Sequence, residues 1–160
     1  MSGRVSALLV ALIFALDQYT KHLVVAGWEV GDSLPVIPSF FSLTYVRNRG
    51  GAFGLLSNLP EAWRVTFFVV FAVVTVAALV WMLRSTPRAD FAQRLAITAV
   101  IGGAVGNLWD RIRYGEVVDF LDVYVRDWHW PAFNVADSLI SCGVVLLVLG
   151  SMRTVRHGED

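Results

Sequence analysis

The stretch "WRVTFFVVFAVVTVAALVWML", Trp63 to Leu83, holds 21 residues, of which only Arg64 near its start is ionisable. A helix rises ~1.5 Å per residue, so a run of this length crosses a hydrocarbon core of ~30 Å and predicts a membrane span. Three further runs share its character: Val5 to Val25, roughly Phe91 to Leu108, and Ser138 to Met152. The expected fold is a membrane α-helical four-helix bundle, one domain over 1–160, with both termini on one side. Composition agrees: 56% of the residues are hydrophobic, 16% are charged, and the mean hydropathy is +0.62, so lipid is the expected solvent for most of the chain.

The amino-terminal run has Arg4 ahead of "VSALLVALIFAL", as a cleaved leader would, but no small-x-small pattern follows and "DQYTKHLVV" continues the apolar face. It is read as a retained span. The third run is rich in glycine and is expected inside the bundle, where Gly102 and Gly106 form a small-xxx-small pattern that lets helices approach. Trp28, Trp63, Trp81, Trp109, Trp128 and Trp130 fall at or just outside the expected ends, where amphipathic rings favour the headgroup layer. Arginines divide evenly between the two sides, so charge alone does not orient the chain. Only the compact "RSTPRADFAQR" turn tilts the reading toward cytoplasmic termini.

Between the first two spans, Pro35 and Pro38 lead into "SFFSLTYVRNRGGAFG", where Phe41, Leu43, Tyr45 and Arg47 alternate with smaller or polar residues. This predicts one or two short strands and a glycine-rich turn. Between the last two spans, "EVVDFLDVYV" predicts another strand. The formal net charge is zero and no run of Lys or Arg exceeds one residue, which argues against nucleic acid as a partner. The single Cys142 has neither a disulfide partner nor metal-ligand spacing and reads as a buried small hydrophobe.

Ionisable side chains at membrane depth cost several kcal/mol and are functional candidates. Asp17 and Lys21 lie one turn apart on one helix face, as a self-neutralising pair or as part of a site. Asn107 is expected to bond across helices, with Asp110 and Arg111 solvating the end of the third span. Asp119 and Asp137 form the sharper pair, because antiparallel third and fourth spans return them to one depth. Two carboxylates in a partly desolvated pocket do not both ionise easily, so one keeps a proton while the other activates water. The plainer alternatives are that Asp137 is a helix N-cap, with Asn134 and Ser138 as rivals, and that Asp119 is a loop charge for which Asp122 could substitute. His22, His129 and His157 are poorly placed as bases, Ser138 and Ser141 lack a base partner, and no metal-ligand spacing is present.

Four blocks in order, "DQYTK" (Asp17 to Lys21), "NRGGAF" (Asn48 to Phe53), "GNLWDRIRYGEVVDF" (Gly106 to Phe120) and "WPAFNVADS" (Trp130 to Ser138), resemble the bacterial lipoprotein signal peptidases, signal peptidase II. Thr20 stands where Ser is commoner and Gly51 where Ala is commoner. The resemblance implies a cofactor-free aspartic endopeptidase of the inner membrane that cleaves prolipoproteins before the diacylglyceryl-modified Cys. It makes Asp119 and Asp137 the catalytic dyad, surrounds them with Asn48, Asn107, Arg111 and Asn134, and gives Asp17 and Lys21 a supporting role. It also implies a monomer with cytoplasmic termini, a site near the outer leaflet surface, a small extracytoplasmic β-sheet cradle from the first and last loops, and a mobile segment at Gly51 to Asn58. The competing non-enzymatic readings are a proton-coupled carrier subunit and an assembly factor.

Overall fold

The computed structural model describes residues 1–50, 56 and 58–156, with side chains up to 152. In chain order the elements are α1 (Gly3–Gly27), β1 (Ser33–Ile37), β2 (Phe41–Asn48), α2 (Glu61–Ser85), α3 (Phe91–Tyr114), β3 (Val117–Val125), β4 (Trp128–His129) and α4 (Val135–Arg156). All four helices are long and apolar enough to cross a membrane. Their starts follow local chemistry. Ser2 Oγ accepts from Val5 N at 3.3 Å, and Asp90 Oδ1 accepts from Gln93 N at 3.0 Å, each satisfying a backbone donor that the first turn leaves open.

α3 is the axis. The other three helices pack against it, and 56% of its most apolar window is buried, against 0–11% for the others. In α2 the sole buried residue is Arg64, while Phe67, Val70, Phe71 and Trp81 are exposed. A helix that exposes its apolar residues and buries its cation is built for an oily surround. At the other end of α2, the Arg94 guanidinium donates to the carbonyls of Leu83 and Thr86 at 2.7 and 2.6 Å, satisfying acceptors that the helix end leaves open. The Met1 amino group meets the Arg88 carbonyl in the α2–α3 turn, so the start of α1 and this turn share one end of the bundle.

The span over Phe91 to Leu108 is longer than expected. The helix continues through Trp109, Asp110 and Arg111 to Tyr114 and stops at Gly115, whose φ of 71° is the left-handed conformation glycine adopts freely. Asp110 and Arg111, polar residues at this end, are turned into the protein, while Arg113 stays exposed. Glycine packing also differs in detail. A Cβ on Gly102 would meet Ile13 of α1 and one on Gly106 the Asp17 carboxylate, whereas one on Gly103 would meet backbone, standing 2.5 Å from the Ala136 carbonyl oxygen of α4.

Both loops opposite that shared end contribute to one antiparallel sheet of order β1-β2-β3-β4. β1, ahead of the stretch expected to form strand, is an addition to the expected sheet, and so is β4, whose two residues carry no alternation. β4 is the edge strand after β3. It pairs through Tyr124 with His129 and Val125 with Trp128, and Arg126 takes a φ of 56° in the connecting turn. β2 and β3 pair Val46 with Asp119 and Asn48 with Val117, which sets Asn48 beside Asp119.

Candidate active site

A cavity of about 1050 Å³ opens where the sheet meets α3 and α4, and Asn48, Asn107, Arg111, Asp119 and Asp137 all line it. Asp119 enters from β3 and Asp137 from the first turn of α4. Asp119 Oδ2 accepts from Asn48 Nδ2 at 2.9 Å and Oδ1 from Asn134 Nδ2 at 2.7 Å. Burial first, then the charge of Asp137, push the Asp119 carboxyl up to about 7, against the hydrogen bonds from Asn48 and Asn134 and the charge of Lys21.

The start of α4 resolves the capping alternatives. Asn134 Oδ1 accepts from Asp137 N at 2.9 Å, and Asp137 Oδ2 accepts from Asn134 N at 3.3 Å, a reciprocal capping box in which Asn134 is the cap. Ser138 instead donates its hydroxyl to the Asn134 carbonyl. Asp137 Oδ1 is left to accept from Asn107 Nδ2 at 2.7 Å. Asn107 does bond across helices, because its Oδ1 also accepts from Asn134 Nδ2 at 3.2 Å. The two amides thus form a bridge between the two acids.

Arg111 is turned inward rather than solvating the helix end. It donates to the carbonyls of Asn107 and Gly50 at 3.3 and 3.4 Å, and its guanidinium lies 4.8 Å over the Phe68 ring of α2. Asp110 is likewise turned into the protein rather than solvating the helix end. At 1% exposure it binds Lys21 at 3.0 Å and accepts from Val118 N at 3.1 Å. Its partners sit in another helix and a strand, so no local spacing marks it.

Asp17 and Lys21 are buried behind the cavity, 2.8 Å apart, with Lys21 Nζ donating to Asn107 Oδ1 at 2.9 Å. Gln18, unremarked in the sequence, donates to Asp17 Oδ2 and Asp110 Oδ1. Asp122 does not substitute for Asp119. Three positions along β3 turn it to the opposite face, where it pairs with His129 Nδ1 at 2.9 Å. Cys142, five residues beyond Asp137 on α4, is exposed and lines the cavity rather than being buried. Of the expected mobile segment at Gly51 to Asn58, all but residues 56 and 58 lies outside the described residues.

The model of the family described as signal peptidase (SPase) II matches residues 9–153. The chain belongs to the signal peptidase II family. A lipoprotein signal peptidase of Syntrophotalea carbinolica is 48% identical over 155 residues, covering 96% of this chain and 95% of that one. One from Geobacter metallireducens is 44% identical over 154 residues, covering 96% and 94%. A bacterial membrane enzyme solved by the in meso method at 2.3 Å superposes with a TM-score of 0.86 at 34% identity, covering 96% and 90%, and a second, solved at 1.9 Å, with 0.80 at 35%, covering 92% of each. The signal peptidase II reading therefore stands, and the carrier and assembly-factor readings are not favoured. With four apolar helices and this fold, the signal peptidase II chain is a multi-pass membrane protein.

Proposed function

We propose that the chain is an aspartic endopeptidase that removes signal peptides from prolipoproteins by cleaving before the diacylglyceryl-modified Cys. The observation that carries this reading is the convergence of Asp119 and Asp137 on one cavity wall, bridged by Asn107 and Asn134. Asp119 holds the shared proton and Asp137 takes a proton from water. The water oxygen bonds to the scissile carbonyl carbon as Asp119 protonates the carbonyl oxygen. As the resulting gem-diol collapses, one of its hydroxyl protons passes back to Asp119, the C–N bond breaks, and Asp137 gives its proton to the leaving amine. Asn48 and Arg111 hold peptide carbonyls or the developing oxygen charge. The precursor enters sideways from the bilayer, with its acyl chains along the apolar flank of α4 and its peptide across the sheet. The enzyme sits in the inner membrane with cytoplasmic termini and the acids near the outer leaflet surface.

Purified protein mixed with a diacylglyceryl-modified precursor is expected to shorten it and leave the lipidated Cys as the new amino terminus, as read by mass spectrometry. Unlipidated precursor is expected to remain intact. No shortening of the lipidated form overturns the reading.

The raised Asp119 carboxyl gives the pH dependence its sign. Below about 7 the proton needed as acid is present, and above it the cleavage rate falls about tenfold per pH unit. Because the folded value lies above the ordinary 3.8, the contribution of Asp119 to stability is fully present below 3.8 and is lost as pH rises through about 7. A rate that climbs from pH 7 to 9 would contradict this assignment of the proton.

A further inference from the structure

Behind the cavity, each acid is preceded in sequence by a residue whose backbone N–H is held by a buried carboxylate. Ala136 N, next to Asp137, donates to Asp17 Oδ1 at 3.0 Å. Val118 N, next to Asp119, donates to Asp110 Oδ2 at 3.1 Å. These carboxylates come from α1 and α3, and one ammonium joins them: Lys21 Nζ lies 2.8 Å from Asp17 Oδ2 and 3.0 Å from Asp110 Oδ2. Gln18 Nε2 spans the same two groups, at 3.1 Å to Asp17 Oδ2 and 2.9 Å to Asp110 Oδ1. None of these side chains lines the large cavity, so substrate does not touch them.

We infer that Lys21, Asp17 and Asp110 form a yoke that sets the separation of Asp119 and Asp137, with Lys21 also fixing which way the Asn107 amide faces. This rests on the reading of Asp119 and Asp137 as the reacting pair. Moving either carboxylate drags the strand or helix start that carries one acid, and Lys21 ties the two motions together. The ammonium has only donors, so it holds Asn107 Oδ1 toward itself and thereby aims Nδ2 at Asp137. A flipped amide would set an oxygen against the Asp137 carboxylate. These are positioning residues, and a buried cross-link of this kind is costly enough in desolvation to be poor stabilisation on its own.

The test combines kinetics on lipidated precursor with hydrogen exchange at single amides. Lys21→Met is expected to lower kcat at least ~10-fold while KM stays within about twofold, since reacting groups displaced by a fraction of an ångström lose rate rather than affinity. Exchange at Val118 N–H and Ala136 N–H is expected to accelerate together. The double variant Lys21→Met/Asp110→Leu leaves the formal charge of the cluster unchanged and is expected to lose no more kcat than Lys21→Met alone, as members of one unit do. Gln18→Ala, at a half-buried position, gives a milder version, about threefold in kcat, in a chain that keeps the ion pairs. Parental kcat in either ion-pair variant, or loosening of Val118 without Ala136, overturns the yoke. Should neither ion-pair variant fold, Gln18→Ala decides: parental kcat with both amides unchanged overturns it. Activity surviving in Asp119→Asn or Asp137→Asn instead overturns the reading of the acids and with it the catalytic part of this inference, while the coupled exchange would persist.

Discussion

Asp119→Asn and Asp137→Asn are each expected to lower precursor cleavage about 10⁴-fold, the upper range for a group that both positions and transfers a proton. An amide neither accepts the proton of water nor donates one with a carboxyl's acidity, so either replacement removes half of the proposed exchange. The double variant is expected to lose no more than the single ones, because two groups that pass one proton act as a unit. Each substitution also sets a new NH₂ against a donor, since Asp119 accepts from Asn48 and Asn134 and Asp137 from Asn107 and the Asn134 backbone. A stability loss of about 1–3 kcal/mol per unpaired group should accompany the rate loss. Thermal unfolding of each variant separates the two effects. A folded variant retaining a tenth of the parental rate would remove that aspartate from the mechanism.

Gly103→Ala is expected to lower cleavage about 100-fold and to destabilise by about 1–3 kcal/mol, although Gly103 lies on no cavity wall. Its Cβ would stand 2.5 Å from the Ala136 carbonyl oxygen and 2.8 Å from Ile140 Cγ1. A carbonyl in the first turn of a helix does not swing away alone, so α4 must shift, and Ala136 is bonded directly to Asp137. Gly102→Ala is the matched control. Its Cβ would meet Ile13 of α1 at 2.7 Å, which should cost similar stability but a much smaller share of the rate. Equal rate losses in the two variants would mean that the effect is general loosening of the bundle.

The four spans were legible because lipid makes hydropathy a direct record of what faces outward. The end of α3 was not, since Asp110 and Arg111 look like solvated residues until the strand and helix that receive them are known. Strands β2 and β3 followed from alternation and turn residues, while β1, exposed along its whole length and holding Pro35, and β4, two residues long, carry no such signal. Asp137 was ambiguous for a physical reason: the residue types that begin a helix are also those that move protons. The sequence pattern left Asn134, Asp137 and Ser138 as rivals for the cap, and the observed answer uses two of them at once. Cys142 was misplaced because an apolar run does not say which of its faces borders a cavity.

That shared cap has a consequence for how the molecule comes into being. α4 is the last of the described helices, and winding its first turn is the same event that brings the Asp137 carboxylate to its place, since Asn134 and Asp137 hold each other's backbone N–H. A nascent chain with three helices inserted carries Asp119 but no partner for it. With Asp119 and Asp137 as the proposed pair, hydrolytic competence would arrive only once α4 is inserted, and a chain halted before that point would not cut its neighbours.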